Sequence, residues 1–384
     1  MTTLPYSRQA ITPDDIDAVA QVLRSAFLTQ GPAVEQFERE VAELHGVAHT
    51  LALANATCAL HLACLALGAG PGMIVWTVPT SFVASANCAL YCGADIDFVD
   101  IDPATRLLSV EALAAKLAAA ERAGKLPSIV VPVDLTGLPC DYAAIRQLAD
   151  RYGFKVLADC SHALGAAYQG HPVGSRYIDI AVFSFHAVKI ITTGEGGMAV
   201  TQDAALAERM RLLHSHGITR DPARMEAEQP GGYYYEQLAL GYNYRMTDIQ
   251  AALGSSQLAR LPGMAAQRRA LAERYGELLA GSGWLLPAMT TDRRSAWHLY
   301  VVERGDSDRA RRDELFGQLR EAGIGVNLHY LPIHLQPYYR KLGFGPGDFP
   351  HAERYGERAI TLPLFPAMTH ADQDRVVALL GHGA

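Results

Sequence analysis

Lys155-Val-Leu-Ala-Asp-Cys-Ser-His162 and Ile180-Ala-Val-Phe-Ser-Phe-His-Ala-Val-Lys189 decide how this chain folds. Each opens as a short apolar run and ends on polar or ionisable residues. That is the pattern of a strand buried on both faces whose end reaches the surface of a sheet. Working outward, similar runs predict strands over 50–54, 74–78, 96–100, 129–133 and 198–201. Helix-like periodicity predicts helices over 57–67, 110–123, 142–152 and 204–213. Strands that alternate with helices need crossover connections, so the first two-thirds reads as α/β: a mostly parallel central sheet flanked by helices.

The pattern changes near residue 260. Arg260-Leu-Pro-Gly263 reads as punctuation, followed by an Ala/Arg/Glu/Leu helix to about Ala280. Beyond it the sequence predicts a strand near 297–302, a helix near 309–322, a strand near 325–329 and a last helix from about Ala371. The expected organisation is a large domain over 1–258 and a smaller α+β C-terminal domain over 259–384.

Ligands of open α/β sheets bind outside the carboxyl ends of the strands, so three strand ends matter most. Asn55-Ala-Thr57 runs straight into a helix, whose N-terminal N–H groups and dipole suit a phosphate; a plain helix cap is the alternative reading. Asp159 closes its strand and reads either as a turn former or as an acid paired with a cationic ring nitrogen. Lys189 stands among Val188, Ile190 and Ile191. A lysine so placed either snorkels to the surface or, partly desolvated, becomes an amine nucleophile for Schiff-base chemistry. The Gly-rich turn Thr192-Thr-Gly-Glu-Gly-Gly197 favours the second reading, because it lets backbone approach a ligand. An anion cradle, an acid for a pyridine nitrogen and a buried lysine together are the requirements of pyridoxal 5'-phosphate.

Composition narrows the alternatives. With 384 residues, 33 Lys+Arg against 40 Asp+Glu and a net charge of −7, the chain lacks the basic excess of a nucleic-acid binder. No apolar run reaches the length of a membrane span, and the start MTTLPYSRQAITPDD carries no secretory h-region. The six cysteines form no C-x-x-C pair, so neither a disulfide framework nor a zinc site is expected, and a reducing cytoplasm is. His214-Ser-His216 lacks the further ligands a metal needs. The tyrosines at 233–235, 242 and 244 read as subunit packing.

With these motifs in order, the chain resembles the DegT/DnrJ/EryC1/StrS family of sugar aminotransferases, which have the fold-type I architecture of pyridoxal-phosphate enzymes. The stretches that carry the resemblance are Gln30-Gly-Pro32, Asn55-Ala-Thr-Cys-Ala-Leu60, Val78-Pro-Thr-Ser-Phe82, Asp159-Cys-Ser-His-Ala-Leu-Gly165, Ser184-Phe-His-Ala-Val-Lys189, Gly194-Glu-Gly-Gly197, Gly241-Tyr-Asn-Tyr-Arg-Met246 and Leu328-His-Tyr330. The resemblance implies that Lys189 carries the Schiff base and shuttles the proton, and that Asp159 holds the ring nitrogen. It implies that Ala56, Thr57 and Ser184 bind the phosphate and that Phe82 and Ser161 cover the two ring faces. His162 would contact the phenolic oxygen. Asn243 would reach the cofactor of a neighbouring subunit, making a homodimer with shared active sites. Thr29, His329 and His334 are candidates for the substrate. Within the family, Val75-Trp-Thr77, the run from Ser81 to Ala94 and Leu328-His-Tyr-Leu-Pro-Ile-His334 are similar to the pseudaminic acid branch. That likeness implies L-glutamate as donor and C4 of a UDP-linked 4-keto-6-deoxy-N-acetylhexosamine as acceptor. Another nucleotide-linked keto sugar, a sugar dehydratase and a non-catalytic cofactor-binding regulator are the alternatives; the dehydratases have His at the Schiff-base position, where this chain keeps Lys189.

Overall fold

In the computed structural model, which describes residues 3–227, 231–305 and 307–381, the centre is a seven-stranded sheet. Its strands are β1 (His49–Leu53), β2 (Ile74–Thr77), β3 (Asp95–Phe98), β4 (Ile129–Val131), β5 (Lys155–Asp159), β6 (Ile180–Ser184) and β7 (Gly197–Thr201). They lie in the order β1-β7-β6-β5-β4-β2-β3. The five strands from β3 to β6 pair in parallel. β7 runs antiparallel to both β6 and β1.

The sequence explains the central position of β4 and β6. Every residue of Ile129–Val131 and Ile180–Ser184 is buried, as a strand covered by helices on both faces requires. Helix α3 (Ala56–Ala66) covers one face and is apolar nearly all round, with Leu60, Leu62, Ala63 and Cys64 buried. It starts where it does because the Asn55 side chain accepts the Cys58 N–H at 2.9 Å. The helices expected over 110–123, 142–152 and 204–213 form as α5 (Val110–Ala123), α6 (Tyr142–Tyr152) and α7 (Ala204–Leu213), whereas four helices before residue 260 escape the sequence reading: α1 (Pro13–Leu23), α2 (Pro32–His45), α4 (Ala84–Tyr91) and α8 (Asp248–Ala259). Proline opens α1 and α2, and a Thr247–Gln250 capping box opens α8.

Leu-Pro-Gly at 261–263 does not interrupt the chain. It forms the first turn of α9 (Leu261–Leu278), where a proline lacks a hydrogen bond to lose. After α9 comes a three-stranded antiparallel sheet of β8 (Trp284–Leu285), β9 (Tyr300–Arg304) and β10 (Ala359–Leu362). The strand expected near 297–302 is therefore shifted to Tyr300–Arg304. No strand forms at 325–329; that stretch makes only single bridges, Asn327 with Thr361 and Leu4 with Ile324 nearby. Val326, with Ile324 just before it, serves instead in a second apolar core with Tyr275, Tyr300 and Leu319.

We propose the junction between α8 and α9 as the domain boundary. Two apolar cores lie on either side of it, but the chain crosses between them. Leu4 joins the second core, and Ile333, Tyr339, Ala352 and Tyr355 join the first. Among the described residues no helix is long and apolar enough to cross a membrane.

Candidate active site

The ends of β5 and β6, the start of α3 and the 329–330 segment enclose a cleft of about 770 Å³. Asp159, the last residue of β5, lies at its floor and is only 5% exposed. Its carboxylate is held from two sides: the Ser85 hydroxyl donates to Oδ2 at 2.6 Å, and the Ser161 N–H donates to Oδ1 at 3.1 Å. Because the Ser85 proton goes to Asp159, the Ser81 hydroxyl at 2.7 Å donates to Ser85 in turn. Such a chain fixes the carboxylate rotamer and leaves its charge directed at the cleft.

Lys189 follows β6 in a closed loop. The Phe185 N–H donates to Gly196 and the Phe185 carbonyl accepts from Thr193, both at 2.9 Å. The N-terminal segment covers the loop, with the Ser7 hydroxyl donating to the Val188 carbonyl at 3.2 Å. Buried Ile190 and Ile191 anchor its far side. Burial pulls the Lys189 amine down to about 8, against the opposing pull of the Asp159 charge. The amine is thus partly neutral at physiological pH.

The α3 N-terminus faces the same cleft through Asn55, Ala56 and Thr57, beside Ser184. It can pack so close to β7 only because residue 197 is glycine: a Cβ there would lie 2.5 Å from the Asn55 carbonyl carbon. Ser161, His162 and Phe82 also line the cleft, Phe82 with its ring 58% exposed and 6.1 Å from that of Tyr330. His329 lines it too, its ring fixed by Thr361 at 2.8 Å and by Asn327 at 3.3 Å. Burial, with Lys189 nearby, holds His329 down to about 3.

Three expected positions lie elsewhere. His334 is fully buried, its Nε2 2.9 Å from Glu353 and its ring against Phe349. It cannot meet a substrate, and its place in the Leu-Pro-Ile-His turn is a packing role. Thr29 is exposed and bridges to Thr247 outside this cleft. Asn243 is exposed, bridging to Ser215, and likewise does not line the cleft of its own chain.

The structure also adds residues the sequence reading passed over. Ser81 and Ser85 have the i,i+4 spacing of a shared face, a usable signal. Tyr6, Tyr330 and His298 line the cleft from segments outside the sheet; Tyr330 belongs to the Leu328-His-Tyr330 stretch but has no expected role from it, and nothing local in the sequence marks Tyr6 or His298. Among the described residues no group of three or more His, Cys, Asp or Glu is placed to hold a metal.

This donor set fits pyridoxal phosphate: a cradle of N–H groups that a single Cβ at 197 would block, a carboxylate at the floor, and a half-buried lysine amine in the same cleft. Fold and cleft together define a fold-type I pyridoxal-phosphate-dependent transferase. The chain belongs to the DegT/DnrJ/EryC1/StrS aminotransferase family, whose model matches residues 9–381; it is a sugar aminotransferase. It is similar to the spore coat polysaccharide biosynthesis protein SpsC of Bacillus subtilis, with 39% identity over 378 residues, 97% of this chain and 95% of that one. Among solved structures it is similar to Streptococcus pneumoniae Spr1654 in its PLP form (30% identity, TM-score 0.90, 99% of this chain and 98% of that one). It is also similar to Helicobacter pylori PseC, an aminotransferase involved in the biosynthesis of pseudoaminic acid. There the identity is 29% and the TM-score 0.90, covering 100% of this chain and 99% of that one.

Proposed function

We propose that this enzyme moves the amino group of L-glutamate to C4 of a UDP-linked 4-keto-6-deoxy-N-acetylhexosamine, in pseudaminic acid biosynthesis in the cytoplasm. The observation that carries the reading is the pairing of Lys189 and Asp159 at the ends of neighbouring parallel strands in one cleft. The likeness to PseC supports the choice of sugar.

When bound, pyridoxal phosphate supplies the electron sink for moving an amino group and a proton between two substrates. The chain's own residues do the rest. The N–H groups of Ala56 and Thr57 and the Ser184 hydroxyl bind the phosphate, with the positive end of α3 behind them. Asp159, fixed by Ser85 and Ser161, holds a proton at the ring nitrogen. Phe82 and Ser161 orient the ring between them. Lys189 acts first as nucleophile and then as acid and base, carrying a proton on Nζ; an amine whose proton leaves near pH 8 exchanges it readily in both directions. His162 donates from Nε2 toward the phenolic oxygen, and His329 faces the sugar. Asn243, exposed beside the stacked rings of Tyr242 and Tyr244 at 4.9 Å, reaches the phosphate in a second copy, so the working unit is a homodimer.

A second reading, transfer to another nucleotide-linked keto sugar, is favoured by the 39% identity to SpsC. A panel of UDP- and dTDP-keto sugars with L-glutamate separates the two. The proposal expects strong preference for the UDP-linked N-acetylated 4-keto sugar. Equal turnover of dTDP-4-keto-6-deoxyglucose would overturn it.

A further inference from the structure

Behind Asp159 and Lys189 lies a junction that the reaction scheme above leaves without a role. His298 lines the cleft, is 2% exposed, and sets its ring 4.5 Å from that of His162 at an angle of 50°. One turn holds the His162 ring and the His298 backbone. The Thr136 N–H donates to His162 Nδ1 at 3.3 Å, while the Thr136 carbonyl accepts from the N–H groups of His298 at 2.9 Å and Leu299 at 3.2 Å. The Ala296 N–H donates to the next carbonyl of that turn, Gly137, at 2.9 Å.

This docking is costly to build. Thr136 and Trp297 both have φ in the left-handed region, at 64° and 51°, where a β-branched or bulky side chain is strained. Gly137 has no room for a side chain, since a Cβ would lie 2.8 Å from the His162 carbonyl oxygen. On the far side, Arg268 is 1% exposed and spends its Nη1 on the carbonyls of Trp297, His298 and Leu364, at 3.0–3.3 Å. A guanidinium buried on carbonyl oxygens, two strained residues and a glycine with no free space all converge on the backbone of residues 296–298. Strain of this kind persists where the surroundings over-determine the geometry, and it clusters at functional sites.

The bond from Thr136 has a chemical consequence. A backbone N–H directed at Nδ1 makes that nitrogen an acceptor, so the His162 proton sits on Nε2. Nε2 faces the Tyr330 hydroxyl at 3.4 Å on the cleft side. The other tautomer would set two N–H groups against each other. We propose that His298 is a positioning residue for His162: its ring closes the space behind that imidazole, excludes water from it, and with the Thr136 turn locks the proton on Nε2. The inference rests on the proposed role of His162 as a donor to the cofactor.

The titratable and charged groups around the pair are Lys189, Asp159, His329 and Tyr330 on the cleft side and Arg268 behind. Burial first, then the neighbouring positive charge of Lys189, keeps His162 well below its ordinary range, and burial does the same to His298. Two neutral rings therefore meet at the floor, and opening the space between them would admit water to His162.

The test is ring-nitrogen NMR of holoenzyme labelled at histidine, with the His162 signals assigned from a His162→Asn variant, across pH 5.5 to 8.5. In the wild type, His162 shows one tautomer, protonated on Nε2, and does not titrate. His298→Ala gives mixed tautomers and a titration returning toward 6.5. His298→Phe, which keeps the ring volume, retains the single tautomer. Turnover falls about tenfold in His298→Ala with the KM for glutamate nearly unchanged, as expected for misplacing a group that does not touch the donor. Should His298→Ala fail to fold, His298→Asn opens the same space with a polar side chain and is read in the same way. An unchanged His162 spectrum in either shortened variant overturns the proposal. Loss of activity in His162→Asn alone, with the wild-type tautomer as described, tests the cofactor contact separately from the role of His298.

Discussion

The two walls of the cleft are built on opposite physical terms. The sheet wall, made by the ends of β5 and β6 and the start of α3, carries the charge: the Asp159 carboxylate, the Lys189 amine and the open N–H groups at Ala56 and Thr57. The opposite wall, from His298 and the 329–330 segment, carries donors and acceptors that burial keeps neutral. The difference divides the labour. Groups that exchange protons and electrons sit at or just beyond strand ends, Asp159 as the last residue of β5 and Lys189 in the closed loop after β6. Groups that orient and exclude water come from irregular backbone, fixed by individual hydrogen bonds at strained residues. A neutral wall also keeps Lys189 from facing further positive charge, which would depress its amine beyond use.

If the charged wall does the chemistry, changes there cost orders of magnitude. Lys189→Ala removes the nucleophile and the proton carrier together, and turnover should drop by at least about 10⁴-fold in a steady-state assay. Asp159→Asn keeps the shape and most of the hydrogen bonding but not the charge. A loss of about 10³-fold is expected, carried by kcat rather than by the KM for the sugar.

Lys189 also links the wall to stability. Its folded value of about 8 lies below the ordinary 10.5 because burial penalises the ammonium. Between those values the unfolded chain binds the extra proton, so stability rises with pH there, and below pH 8 the folded state bears the full penalty. At 1.36 kcal/mol per unit this is about 3 kcal/mol. Cofactor-free Lys189→Met should therefore be more stable than the cofactor-free parent by about that amount at pH 7. The gap should shrink steadily from pH 8 toward 10.5 in urea titrations; a gap independent of pH would contradict it.

The smallest effect on activity belongs to a residue outside both walls. His334 packs on Phe349 and meets Glu353 at 2.9 Å, far from substrate. His334→Ala should cost about 2–4 kcal/mol of stability through a cavity and the lost bond to Glu353, whose carboxylate still accepts from the Gly347 and Phe349 N–H groups, with KM and kcat unchanged below the melting range.

The same contrast explains what could be read from the chain. The charged wall was legible because apolar runs such as Ile180–Ser184 announce buried strands, and the strand-end rule then points at Asp159 and Lys189. The neutral wall was not. His298 lies between Trp297 and Leu299, in an apolar setting that reads as core, and reaches the cleft only because Thr136 and Gly137 dock on its backbone. His334 misled in the opposite sense, since its proximity in sequence to His329 says nothing about a side chain that turns away. The helices over Pro13–Leu23 and Asp248–Ala259 went unread because their buried faces meet each other: the Asp15 carboxylate accepts from Ser256 and Gln257, and no apolar stripe records that polar packing.

The most direct measurement is the donor half-reaction alone. Holoenzyme mixed with L-glutamate, without any sugar, should lose the visible absorbance of its cofactor and release one 2-oxoglutarate per chain. A keto sugar added afterwards should restore the absorbance. An absorbance that glutamate leaves unchanged, or release of 2-oxoglutarate at the same rate from Lys189→Ala, would contradict the account.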